Sequence, residues 1–187
     1  MIVLALGSNR AGKWGPPGRM LARGLVELER QGIEIIKVSS LYETAGVVAS
    51  GRPGIFANAV AIVRTGCPPD ALIARLKRLE RDAGRRSARP SGPRPLDLDI
   101  LDYHGLVRGN PDVIYPAARR SGMPLVLPHP RLHERPFVLA PLAEIAPAWR
   151  HPLTRETALE MWRNIRRERQ GRVLDRRPMP AAHGPRP

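Results

Sequence analysis

Followed for where apolar side chains recur, the chain divides into short runs whose period switches between two and 3.6. Residues 2–6 are continuously apolar and end at Gly7-Ser8-Asn9, the pattern of a buried strand entering a turn. Residues 10–18 hold too many glycines and prolines for an element. Met20, Leu21, Leu25, Val26 and Leu28 then recur at helical spacing, with Gly32 as terminator. Residues 33–42 read as a strand, residues 45–54 as a glycine-rich loop, and residues 55–63 as a third strand. Pro68 and Pro69 suit a first helical turn, where a missing N–H costs nothing, and Asp70 complements the dipole there. Leu72, Ile73, Leu76 and Leu79 form that helix's apolar face, and Gly84 closes it. Residues 85–95 are broken by arginines, prolines and Gly92, and residues 96–103 return to a strand. Residues 108–123 form an irregular excursion, and residues 125–127 are placed as an edge strand. Residues 136–145 and 154–165 are read as helices.

The order β-α-β-β-α-β plus C-terminal helices predicts an α+β, ferredoxin-like fold, an antiparallel sheet with its helices packed on one face. Residues 1–169 are expected to form a single domain. Residues 170–187, rich in Arg and Pro with little to bury, are expected to be a disordered tail.

With 42% hydrophobic and 26% charged residues the chain can bury a real core, which excludes disorder and a collagen-like fibre. No apolar run approaches the length of a membrane span. The opening run lacks a basic leader and a small-residue cleavage site, so it reads as a strand and not a signal peptide. A lone Cys67 excludes an internal disulfide and a cysteine-rich zinc site, and the expected compartment is the cytoplasm. The net charge of +14 rests almost wholly on arginine, with Lys13, Lys37 and Lys77 the only lysines. Arginine's fixed fork of donors suits phosphate, so the excess points to nucleotide or nucleic acid; an arginine-heavy genome would leave the same bias.

Candidate chemistry concentrates at Asp97-Leu98-Asp99. Residues i and i+2 of a strand point the same way, so both carboxylates project on one side about 6–7 Å apart while Leu96, Leu98 and Ile100 face the core. Such a pair suits a hard divalent cation completed by substrate phosphates, or else a solvated face paired to arginines. Arg85, Arg86, Arg89 and Arg94 lie just upstream, where they can take up phosphate charge or remain a solvated run. No Walker loop or dinucleotide fingerprint follows Gly7-Ser8-Asn9. His129 and His133 lack a third metal ligand nearby, and Trp14, Trp149 and Trp162 read as core or loop anchors.

The run Gly92-Pro93-Arg94-Pro95-Leu96-Asp97-Leu98-Asp99-Ile100-Leu101 resembles the signature of the 6-hydroxymethyl-7,8-dihydropterin pyrophosphokinase family of the folate pathway. The likeness extends over about residues 1–165, through Gly7-Ser8-Asn9, Phe56-Ala57-Asn58, Leu79-Glu80, Leu127-Pro128-His129 and Arg135-Pro136-Phe137. It implies ATP as co-substrate, two Mg²⁺ ions, and transfer of the pyrophosphoryl group to the pterin hydroxymethyl oxygen with release of AMP. By this resemblance Asp97 and Asp99 are the metal ligands, and they act in catalysis with Arg85 and Arg94. Thr44, Phe56, Asn58 and Phe137 match the pterin pocket, while Glu80, Ile100, His129 and Arg135 match the nucleotide side. The chain departs from the pattern at Pro90 and Ser91, where the family commonly has arginine and tryptophan. Ser91 leaves an aromatic lid missing, a role open to Trp14.

The expected partners are therefore small molecules, with no membrane and no nucleic acid, and the chain is expected to act as a monomer or a weak dimer. Two other readings are a pterin-binding paralogue of reduced or altered activity and a basic RNA-binding module. Against the last, no K/R-G-F/Y run is present and aromatics make up only 4% of the chain, a poor stacking surface.

Overall fold

The computed structural model describes residues 1–47, 53–85, 94–109, 125–165 and 172–182. Arg86, Ser87, Arg89, Pro90, Ser91 and most of the 108–123 excursion lie outside them. Among the described residues the elements are β1 (Ile2–Ser8), α1 (Pro17–Arg30), β2 (Glu34–Val38), β3 (Leu41–Val47), β4 (Pro53–Arg64), α2 (Pro69–Asp82), β5 (Asp97–Tyr103), α3 (Pro136–Ile145), α4 (Ala158–Ile165) and β6 (Val173–Arg177). The strands form one antiparallel sheet in the order β5-β1-β4-β3-β6, with β2 also pairing along β4.

β1 is apolar on both sides because both of its faces are covered. Ile2, Leu4 and Leu6 join Leu21, Leu28, Leu72, Leu76, Leu98 and Ile100 in a core under α1 and α2. Val3 joins Val60, Leu101, Val138, Leu139 and Met161 in a second core under α3 and α4. Helices therefore sit on both faces of the sheet, not one as expected. The C-terminal pair covers only part of the second face, and what it leaves open is the candidate site.

Several boundaries differ from the sequence reading, and β3 and β4 run into both ends of the expected 45–54 loop. The single strand expected over residues 33–42 is broken at Ser39-Ser40. The buried Ser39 hydroxyl donates to the Ser40 carbonyl and accepts from Val60 N at 3.0 Å, so a side chain replaces a ladder bond there. The last helix starts at Ala158, because Thr157 and Glu160 form a reciprocal capping box: Thr157 N donates to Glu160 Oε2 at 2.7 Å and Glu160 N to Thr157 Oγ1 at 3.2 Å. The expected disordered tail is corrected over residues 172–182. β6 pairs with β3, and Met179 packs against the first core. Main-chain ladder bonds hold an edge strand that has few apolar side chains to signal it. At residues 125–127 the expected edge strand is reduced to an isolated bridge between Arg108 and Leu127.

Candidate active site

The open part of the second face is floored by three neighbouring strands. Gly7 of β1 lies between Asp97 of β5 and Asn58 of β4 in the register, and Ala5 lies opposite Asp99. The alternation of β5 thus turns both carboxylates into the cleft and Leu98 and Ile100 into the opposite core, as period two requires. The cleft is lined by Gly7, Asn58, Asp97, Asp99, Arg135 and Phe137 among others. A side chain at Gly7 would project onto this floor, since a Cβ there would stand 3.5 Å from Asn58 Oδ1 and 3.8 Å from Asp97 Cβ.

A cationic collar surrounds the carboxylates. Arg85 Nη1 donates to Asp97 Oδ1 at 2.6 Å and Arg94 Nη1 to Asp97 Oδ2 at 2.7 Å. Lys77 Nζ reaches Asp99 Oδ1 at 3.4 Å, donates to Glu80 Oε1 at 2.6 Å and to the Leu98 carbonyl at 2.7 Å. Glu80 is the buried anion that organises this set: Oε1 also accepts from Leu98 N at 2.7 Å, and Oε2 accepts from Arg85 at 2.6 Å. Burial would raise the Asp99 carboxyl, yet Lys77, His129 and Arg135 together hold it well below the ordinary carboxylate range. Burial likewise works against the Lys77 ammonium, and the carboxylates Asp99, Glu80 and Asp97 overcome it and push its pKa up. Burial pushes Glu80 up against the pull of Lys77 and, more weakly, Arg85.

The loop leading into β5 is anchored to the β1 turn at Arg94. Arg94 N donates to Asn9 Oδ1 at 2.6 Å, and Asn9 N donates back to the Arg94 carbonyl at 3.1 Å. Gly12 allows the close approach beneath it: a Cβ there would stand 2.7 Å from Met20 and from Pro95 and 2.9 Å from the Ala83 carbonyl. On the other side of the cleft, Asn58 Nδ2 donates to Thr44 Oγ1 at 2.8 Å. The Arg135 guanidinium lies 5.7 Å from the Phe137 ring centroid.

The structure brings together Asp97, Asp99, Arg85, Arg94, Asn58, Arg135 and Phe137. Thr44 is buried behind Asn58 and supports it. The Phe56 ring packs over Gly46, where a Cβ would meet it at 2.5 Å. His129 donates its main-chain N–H to the Leu101 carbonyl at 2.9 Å, and its charge bears on Asp99. Two residues stand elsewhere. Ile100 buries its side chain in the core on the opposite face, so only its main chain can approach a nucleotide. Glu80 has both oxygens engaged internally. Trp14 packs against the α1–α2 core, and Ser91 is outside the described residues. In the sequence Asn9 stands out only within the Gly7-Ser8-Asn9 turn and Lys77 only as one of three lysines. The i, i+3 spacing of Lys77 and Glu80 on a helix was the available signal.

Residues 3–147 match the family 7,8-dihydro-6-hydroxymethylpterin-pyrophosphokinase. The chain belongs to that family. A 2-amino-4-hydroxy-6-hydroxymethyldihydropteridine pyrophosphokinase of Synechocystis sp. is 35% identical over 161 residues, covering 85% of this chain and 73% of that one. A mitochondrial folate synthesis bifunctional protein of Arabidopsis thaliana is 40% identical over 147 residues, 77% of this chain and 23% of the relative. Its counterpart in Pisum sativum is 38% identical over 144 residues. The chain spans about a quarter of the length of these bifunctional relatives. The crystal structure of Plasmodium falciparum HPPK-DHPS with pteroate superposes with a TM-score of 0.64 over 88% of this chain and 44% of that one. At 15% identity, that likeness speaks for the α+β, ferredoxin-like fold alone.

Proposed function

We propose that the chain is an ATP-dependent pyrophosphokinase that moves the pyrophosphoryl group of ATP to the hydroxymethyl oxygen of 6-hydroxymethyl-7,8-dihydropterin and releases AMP. The observation that carries this reading is the shared cleft, in which Asp97 and Asp99 lie on the same open sheet face as Asn58 and Phe137. A flat polar heterocycle is matched by an aromatic face and an amide edge. Phosphates are matched by the arginine collar.

The carboxylate pair fits magnesium by its chemistry: two hard oxygen donors on one open sheet face. That is the donor set of an ion completed by water and phosphate oxygens, so Asp97 and Asp99 would hold it, and two ions are expected. When bound, magnesium supplies charge neutralisation at the phosphates. The chain's own residues do the rest by placement. Arg85 and Arg94, which neutralise Asp97 here, are within reach of a phosphate that replaces the carboxylate as their acceptor. Lys77 and Glu80 keep the strand carrying the carboxylates in register with α2. Asn58, oriented by Thr44, and Phe137 hold the acceptor's ring so that its hydroxymethyl group faces the phosphate end.

We infer that the substrates are small molecules, that the chain acts as a monomer or a weak dimer, and that the reaction runs in the cytoplasm. Among the described residues no helix is long and apolar enough to cross a membrane. Calorimetric titration tests the reading: binding of a non-hydrolysable ATP analogue should require Mg²⁺ and be lost in Asp97→Ala/Asp99→Ala. Metal-independent, salt-sensitive binding of oligonucleotides in its place would contradict it.

A further inference from the structure

The segment beyond the family-matched residues adds an edge strand to the sheet that floors the cleft. β6 pairs with β3 from Leu41↔Arg177 to Thr44↔Val173, and the Ala45 N–H donates to the Arg172 carbonyl at 2.9 Å. Arg177 forms an ion pair with Glu43 across the same ladder. Arg176 is the cross-strand neighbour of Tyr42 in that ladder, and the Glu144 carboxylate of α3 bears on the Tyr42 phenol. Glu144 also accepts from Ser40 N at 3.2 Å and Ser40 Oγ at 2.8 Å. Further along, Pro180 covers Gly18, where a Cβ would stand 3.4 Å from its ring and 3.1 Å from Leu41.

These contacts link the two sides of the candidate pterin pocket. Tyr42 is the cross-strand neighbour of Asn58 in the register, and Thr44, two residues on, accepts the Asn58 amide. Glu144 lies about two helical turns after Phe137 on α3. Burial and the neighbouring Glu144 carboxylate push the Tyr42 phenol up to about 12, so it stays protonated at any working pH.

We propose that β6 and the Arg176–Tyr42–Glu144 cluster are positioning elements that set the distance between the Asn58 and Phe137 walls, and hence the affinity for the flat heterocycle. The cluster does not reach the carboxylate end, where Lys77, Glu80, Arg85 and Arg94 form a separate network. The inference rests on the proposed pterin reaction, and its effect should be confined to one of the two substrates. A purely structural brace would weaken both.

Full-length Tyr42→Phe and Arg176→Ala separate these cases. Tyr42→Phe keeps the ring and deletes only the hydroxyl, and the Arg176 side chain is exposed, so its loss leaves no cavity. Calorimetry with 6-hydroxymethyl-7,8-dihydropterin, in the presence of Mg²⁺ and a non-hydrolysable ATP analogue, is expected to give pterin binding about five- to twentyfold weaker in both variants. Affinity for the Mg²⁺–analogue alone should stay within twofold of wild type. Wild-type pterin affinity in both variants overturns the inference, and so does an equal loss of nucleotide and pterin binding. Absence of pterin binding by the unsubstituted chain refutes the pterin reading, and the inference with it.

Discussion

Replacing Glu80 by glutamine isolates the anion at the centre of the charge network. The carboxylate accepts from Lys77 and Leu98 N on one oxygen and from Arg85 on the other, all at 2.6–2.7 Å. An amide of the same shape keeps one acceptor, enough for the Leu98 N–H, but turns its NH₂ toward the Arg85 guanidinium, donor against donor. Removing one partner of a fully buried ion pair costs roughly 3–5 kcal/mol. Here Lys77 and Arg85 keep 31% and 21% of their side chains exposed, and each retains a second carboxylate, Asp99 or Asp97. Solvent and those partners recover about half, which leaves an expected loss of ~2 kcal/mol. For a chain of this size that lowers Tm by about 4–8 °C. Thermal unfolding followed by circular dichroism measures the shift, and titration with the Mg²⁺–ATP analogue should show affinity reduced about tenfold or more, because Arg85 loses the carboxylate that holds it beside Asp97. A variant that melts within a degree of wild type and binds the analogue normally would refute the organising role of Glu80.

Arg94→Ala should lower kcat by about a hundredfold with pterin affinity within twofold, since it removes one donor from the phosphate end. Arg94→Lys should restore only part of the rate, and full recovery would show that charge without bidentate geometry suffices. Asp99 has a folded pKa below its unfolded value, so its contribution to stability is present above the ordinary carboxylate pKa of about 3.9 and is lost as pH falls through the folded value. The Tm gap between wild type and Asp99→Asn should therefore be full at neutral pH and close in acid; a gap unchanged from pH 7 to pH 2 would contradict this. Deleting residues 171–187 should lower Tm by several degrees because β6 and Met179 are lost, and an unchanged Tm would return that segment to a passive tail.

What could be seen in the sequence followed from short-range periodicity. The alternation of Leu96, Leu98 and Ile100 with Asp97 and Asp99 decided which face carries carboxylates and which carries core, and the structure keeps that division. It also outranks the family resemblance at Ile100, whose side chain the alternation sends to the core. Features that depend on tertiary partners left no such trace. Ser39-Ser40 reads as a neutral continuation of a strand, yet its hydroxyls find Val60 and Glu144 and split the strand in two. β6 is held by main-chain bonds to β3 and by Arg176 and Arg177, residues whose composition suggested a solvated tail. Glu80 reads as a ligand contact on a helix face, whereas burial against Leu98 makes it an internal acceptor. Helices on both faces of the sheet follow from Val3 and Val60, apolar residues on the face opposite Leu4 and Leu6 in strands already known to be buried.

The most direct test of the account is the nucleotide product formed from ATP and Mg²⁺ with and without 6-hydroxymethyl-7,8-dihydropterin. The account predicts AMP in equal amount to the pterin consumed, none without the pterin, and none from Asp97→Ala. Formation of ADP in place of AMP, or AMP at the same rate whether or not the pterin is present, would contradict it.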